Sequence, residues 1–205
     1  MDIEGKTFLV TGANSGLGAG VTNRLETGGE NVLGLDVNTG NATAFSDRYR
    51  DRVQLIKADV TSDKDGAAAI AHARHLFKGV NDHVNCAGIA PGQKLVGRSG
   101  AHDLDLFARA VSINLIGTFN MMRLAAEAMQ KNDPNPEGER GVIVNTASVA
   151  AYEGQIGQAA YAASKGGVVS LTLPAARELA RSGIRVMTIA PGIFETPMMA
   201  GLPQE

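Results

Sequence analysis

At 205 residues and 44% hydrophobic, the chain is long enough to bury one sizeable core, and a single domain over residues 1–205 is expected. Its formal net charge of -2, with Lys and Arg scattered rather than blocked, excludes the basic footprint of a nucleic-acid binder. A lone cysteine excludes an intrachain disulfide, and no apolar run reaches the roughly 18 residues of a membrane span. The acidic start Met1-Asp2-Ile3-Glu4 is unlike a signal or transit peptide, so the cytoplasm is the expected compartment.

The first apolar run, Thr7-Phe8-Leu9-Val10, meets a glycine-rich turn and then a segment of helical composition, Ala19 to Gly28. In that context Thr11-Gly12-Ala13-Asn14-Ser15-Gly16-Leu17-Gly18 can present free backbone N–H groups to a pyrophosphate. Gly12 permits the tight turn, Gly16 the close approach of phosphate and Gly18 the packing of helix on strand. The second run, Asn31 to Asp36, ends on a carboxylate that can accept both ribose hydroxyls of an adenosine. The same charge repels a 2′-phosphate, and Val37 and Asn38 supply no compensating cation, which points to NAD rather than NADP.

Strand-like runs recur at Val53 to Asp59, His83 to Ala87, Val142 to Ala147 and Ile184 to Ala190, separated by helical segments. Six strands joined by helices predict an α/β fold, a doubly wound, Rossmann-type parallel sheet. A long helix is expected from about Asp103 through Met129, with Leu115, Phe119, Met122 and Ala126 at helical spacing. Pro134, Pro136 and Gly138 end it in a surface loop. His72 and His75 form an H-x-x-H without a suitable third ligand, so no metal is expected. Met121-Met122 and Met198-Met199 read as core and lid residues.

Tyr161 and Lys165 stand four residues apart, on one face of any helix that contains them. A free phenol, with a pKa of about 10, is a poor proton acceptor at neutral pH, but a neighbouring ammonium favours the phenolate. Such a tyrosine can exchange protons with an alcohol or carbonyl. Ser148 lies just past the fifth strand-like run, at the sheet edge where open α/β folds bind ligands.

The glycine loop, Asn85-Cys86-Ala87-Gly88, Asn114, Ser148, Tyr161, Lys165 and Pro191-Gly192, all in this order, resemble the short-chain dehydrogenase/reductase family. Within it, Gly141-Val142-Ile143-Val144-Asn145-Thr146-Ala147-Ser148-Val149-Ala150-Ala151 and Glu153-Gly154-Gln155-Ile156-Gly157-Gln158-Ala159-Ala160-Tyr161 are similar to the type II 3-hydroxyacyl-CoA dehydrogenases, also described as type 10 17β-hydroxysteroid dehydrogenases. The resemblance implies that Ser148 holds the substrate oxygen, Tyr161 is the general acid/base, Lys165 binds the nicotinamide ribose, and Asn114 anchors a water that relays protons. It also assigns Ser15 and Leu17 to the pyrophosphate turn, Asp59 and Val60 to the adenine, Cys86 to the adenosine ribose and Phe194 with Thr196 to the nicotinamide, and it counts Asn85, Ala87, Gly88, Pro191 and Gly192 among the cofactor-binding residues. Gln155 and Gln158 are candidates to touch a thioester or ketone, or are solvated loop amides.

The implied activity is NAD-dependent interconversion of a 3-hydroxyacyl-CoA and its 3-keto form in fatty-acid β-oxidation. Steroid alcohols, acetoacetyl-CoA-type reduction and a non-catalytic dinucleotide-binding scaffold remain alternatives. Members of the family usually continue through a helical lid and a seventh strand and form tetramers. This chain ends at Gly201-Leu202-Pro203-Gln204-Glu205, so a sheet without that lid and last strand is expected, with a homo-oligomer as the assembly.

Overall fold

The computed structural model describes residues 3–40 and 51–200; the tail Gly201 to Glu205 and the Met199 side chain lie outside the described set. Six parallel strands form the main sheet: β1 (Thr7–Thr11), β2 (Asn31–Asp36), β3 (Val53–Lys57), β4 (Asp82–Asn85), β7 (Gly141–Thr146) and β8 (Ile184–Ile189). Their order is β3-β2-β1-β4-β7-β8. The chain thus winds outward from β1 in one direction and from β4 in the other, leaving a switch point between these two strands. Two short strands, β5 (Val96–Gly97) and β6 (Gly100–Ala101), form a separate antiparallel hairpin.

Every residue of β1 is buried, as expected for a strand covered on both faces. Alternation divides its side chains. Leu9 joins Leu33, Leu35, Met121, Met129 and Ile143 in one cluster, which α2 (Asp63–Phe77) and α4 (Gly117–Met129) cover. Phe8 and Val10 join Val32, Val53 and Leu25 of α1 (Gly16–Gly28) in the other. Ser62 caps α2 by accepting from the Asp65 N–H at 3.1 Å, and Asp103 caps α3 (Leu104–Val111) by accepting from Asp105 N–H at 2.9 Å. Gly29, at φ 96°, closes α1 in the left-handed conformation.

The expected strands are present with ends shifted by one or two residues. Ala58, Asp59, Cys86, Ala87 and Ala147 leave their ladders and instead border the cleft described below. The expected long helix is three segments, α3, a π-helical turn over Ser112–Ile116 and α4. The wider turn is associated with a buried side chain: Asn114 is fully buried and bonds sideways to the backbone of Ile89. After β7 come α5 (Ala150–Glu153), α6 (Ala159–Ala180) and, beyond β8, α7 (Pro197–Ala200). Among the described residues β8 is the last strand, with Met187 and Ile189 exposed.

Candidate active site

The carboxyl ends of β1, β2, β4 and β7 open onto one cleft of about 860 Å³ that spans the switch point. At one end lies the glycine turn. Gly12 has φ +66°, and a Cβ there would sit 2.8 Å from the Ala87 nitrogen, so only glycine lets β1 turn this close to the segment after β4. A Cβ at Gly18 would meet the Gly12 carbonyl oxygen at 2.1 Å, which fixes how closely α1 approaches the turn. Ser15 precedes α1 without a side-chain cap, leaving the first-turn N–H groups free of that competitor at the cleft.

Asp36 lines the same end. Its Oδ2 accepts from the Asn14 N–H at 3.1 Å and its Oδ1 from the Asn38 N–H at 3.0 Å. A carboxylate offers about four lone-pair sites, so two remain for a pair of vicinal hydroxyls. Asp59 Oδ1 accepts from both the N–H and the hydroxyl of Thr61, at 2.8 and 2.7 Å, and borders the cleft with Val60. Ser15, Gly16, Leu17, Cys86, Ala87 and Gly88 also line it. Burial pushes the Cys86 thiol above its ordinary pKa, a poor environment for a thiolate.

The rim below is tied by side chains to which the sequence reading gave no such role. Thr11 Oγ1 accepts from the N–H groups of Cys86 and Ala87, at 3.1 and 3.2 Å, and donates to Asn85 Oδ1 at 3.5 Å. Asn85 Nδ2 in turn donates to Asn145 Oδ1 at 2.9 Å. This chain of bonds holds β1, β4 and β7 in register beneath the cleft, and it places Asn85 behind the lining rather than in it.

At the other end stand Ser148, Tyr161 and Lys165, all lining the cleft with Pro191, Gly192, Phe194 and Thr196. Because α6 starts at Ala159, Tyr161 and Lys165 occupy successive turns of one helix, and the Lys165 Nζ lies 5.9 Å from the Tyr161 ring centroid. Lys165 is buried and donates to the Thr146 carbonyl at 2.6 Å. Burial holds its ammonium down to about 8, with the nearby Cys86 acting in the opposite direction. Ser148 Oγ accepts from the Ala150 N–H at 3.1 Å, which leaves the hydroxyl hydrogen for another partner.

Asn114 backs this end. Its Nδ2 donates to the Ile89 carbonyl and to Ser164 Oγ, at 2.8 and 2.9 Å, and its Oδ1 accepts from the Ile89 N–H at 2.8 Å. A Cβ at Gly88 would meet Asn114 Oδ1 at 3.0 Å and Lys165 Nζ at 3.6 Å, so glycine keeps that corner open. A Cβ at Gly192 would meet nothing within 4 Å, so the cleft is open beside that residue.

Gln155 and Gln158 stand outside the lining, and Gln158 Oε1 is occupied by the Gln155 N–H at 3.0 Å. His72 Nε2 bonds to Gln54 Oε1 at 3.1 Å. Arg109, Ser112 and Ile113 line the cleft without having been anticipated; their spacing puts them on one helical face, yet nothing in sequence tells which face looks at a ligand.

A profile described as short chain dehydrogenase matches residues 6–205. The chain is 49% identical over 205 residues to a Bos taurus 3-hydroxyacyl-CoA dehydrogenase type-2, covering 99% of this chain and 78% of that one. It is 47% identical to the Homo sapiens protein of the same name, with 99% and 78% covered. A crystal structure of 3-hydroxyacyl-CoA dehydrogenase type-2 from Mycobacterium avium superposes with a TM-score of 0.91 at 39% identity, over 98% of this chain and 79% of that one.

Proposed function

Because this chain belongs to the short-chain dehydrogenase family and is an oxidoreductase of secondary alcohols, we propose that it uses NAD to interconvert a 3-hydroxyacyl-CoA and the 3-ketoacyl-CoA in fatty-acid β-oxidation. The observation that carries this reading is one cleft with the Asp36 carboxylate at one end and Ser148, Tyr161 and Lys165 at the other. The residues fit a nicotinamide dinucleotide. Two acceptor sites are left on Asp36, glycines strip the turn of side chains, and Gly192 leaves open space in the lining it shares with Phe194 and Thr196. Ser15, Leu17, Asp59, Val60 and the segment Cys86 to Gly88 would complete the cradle.

Ser148 donates its hydroxyl hydrogen to the substrate oxygen and fixes the alcohol against Tyr161. The Tyr161 phenolate takes the alcohol proton as oxidation proceeds and returns it in the reductive direction. The Lys165 ammonium, desolvated beside that ring, stabilises the phenolate and is positioned to hold a ribose hydroxyl. Asn114 holds the Ile89 backbone and Ser164 behind the pair. A bound nicotinamide supplies the acceptor for the carbon-bound hydrogen as hydride. We further propose a homo-oligomer in the cytoplasm; the exposed apolar side chains Leu104, Ile116, Phe119 and Leu173 on α3, the π-helical turn, α4 and α6 support the oligomer.

The test is turnover of a short-chain 3-hydroxyacyl-CoA followed by absorbance of the reduced nicotinamide, with NADP and a hydroxysteroid in parallel. NAD-dependent turnover of the thioester is expected, at least about tenfold above NADP, as one carboxylate facing a 2′-phosphate requires. Tyr161→Phe should keep NAD affinity within a few-fold while kcat falls by about 10³ or more. Near-native turnover by that variant would remove Tyr161 from the chemistry.

A further inference from the structure

Among the described residues two cations line the cleft, Lys165 and Arg109. Lys165 is committed to the far end, buried and bonded to the Thr146 carbonyl. Arg109 is exposed and enters no ion pair or side-chain hydrogen bond among the described residues. Asp105 stands four residues before it on α3, the usual spacing for a helical ion pair, yet the pair is not made. Arg109 instead shares the cleft-facing side of the helix with Ser112 and Ile113.

Its place along the helix is fixed relative to Asn114. That residue is anchored to Ile89 in the cleft lining, and Arg109 precedes it by five residues of helix, about 7 Å along the axis. Arg109 therefore shares one cleft with Asp36 and Asp59 and with Tyr161 and Lys165.

Charge supplies the occupant. The glycine turn from Gly12 to Gly18 contains no charged residue, so it offers N–H groups and the half-charge of the α1 terminus. Asp36 and Asp59 add negative charge to the same end. A pyrophosphate laid on that turn carries two negative charges with no side-chain counterion in the turn itself, and Arg24 of α1 lies outside the cleft lining. We infer that Arg109, from the opposite wall, pairs with the pyrophosphate of the bound dinucleotide. A planar guanidinium presents paired donors that match phosphate oxygens. This assignment rests on the dinucleotide reading proposed above.

Calorimetric titration of the purified chain with NAD, ADP-ribose and adenosine tests it in wild type, Arg109→Gln and Arg109→Lys, with thermal melts to verify folding. Arg109→Gln should weaken NAD and ADP-ribose by about fivefold to twentyfold and leave adenosine within about twofold. Arg109→Lys should recover part of the loss, and the difference between wild type and Arg109→Gln should shrink as salt is raised. Unchanged ADP-ribose affinity in Arg109→Gln would overturn the assignment, including when only the KM for the thioester rises. An equal loss for adenosine would also overturn it, since the guanidinium would then be stacking on adenine. Wild type that binds neither NAD nor ADP-ribose would refute the dinucleotide reading itself, and this assignment with it.

Discussion

Lys165 shows how much a single buried cation at the cleft can cost the fold. Burial lowers its pKa from 10.5 to about 8, so the unfolded chain holds that proton more tightly. At neutral pH the buried ammonium therefore destabilises the native state by roughly 3 kcal/mol, and the penalty is relieved as pH rises from about 8 to 10.5. Lys165→Met should abolish turnover yet raise the stability of the cofactor-free chain by about 2 kcal/mol, after roughly 1 kcal/mol for the lost bond to Thr146. Urea unfolding at pH 7 and pH 10 checks both halves: the variant should be the more stable at pH 7, with the gap narrowing at pH 10. A less stable variant at pH 7 would mean that the bond to Thr146 outweighs desolvation. Residues of this kind were legible in sequence because their chemistry is unusual at their spacing: Tyr161 with Lys165 one turn on, and Asp36 at a strand end. Thr11 and Arg109 were not, because a threonine in a strand and an arginine on a helix look alike whether they hold a rim, meet solvent or face a ligand.

The elements around the site depend on glycine at positions that look interchangeable in sequence. Gly18 and Gly20 both lie in α1, two residues apart. A Cβ at Gly18 would lie 2.1 Å from the Gly12 carbonyl oxygen, whereas one at Gly20 would meet nothing within 4 Å. Gly18→Ala should therefore push the helix off the turn, lowering stability by about 2–3 kcal/mol and weakening dinucleotide binding. Gly20→Ala, on the exposed side, should raise stability by about 0.5–1 kcal/mol through helix propensity alone. Thermal melts of the two variants, with NAD titrations, decide it, and equal effects would contradict the packing described for Gly18. The strand–turn–helix order made β1, the turn and α1 legible, and apolar periodicity marked α4. Periodicity passed smoothly over the π-helical turn at Ser112–Ile116, which coincides with a long-range bond between Asn114 and Ile89. The β5–β6 hairpin was also invisible: its two-residue strands include Gly97 and Gly100 and carry no alternating pattern.

Across the whole molecule, the sheet that carries the site has a titratable group at its centre. His83 lies on β4, between β1 and β7, and is fully buried. Its Nδ1 lies 2.9 Å from the Leu9 carbonyl, which selects the tautomer with hydrogen on Nδ1, while Nε2 is buried without a partner. Desolvation lowers its pKa from 6.5 to about 4, partly opposed by the Leu9 carbonyl and Asn85. The unfolded chain therefore binds the extra proton first, and stability falls as pH drops from about 6.5 to 4. The adjacent Asp82 acts the other way: burial raises its pKa despite Lys6, so the native state takes up its proton more readily and offsets part of the loss. Between pH 7 and pH 5 the His83 contribution alone amounts to about 2 kcal/mol of stability. His83→Leu loses the bond to Leu9 at every pH, so its absolute stability is uninformative, but its slope is not. Urea unfolding at the two pH values should show wild type losing about 2 kcal/mol more than His83→Leu. Parallel losses would assign the acid sensitivity of this sheet to groups other than its central histidine.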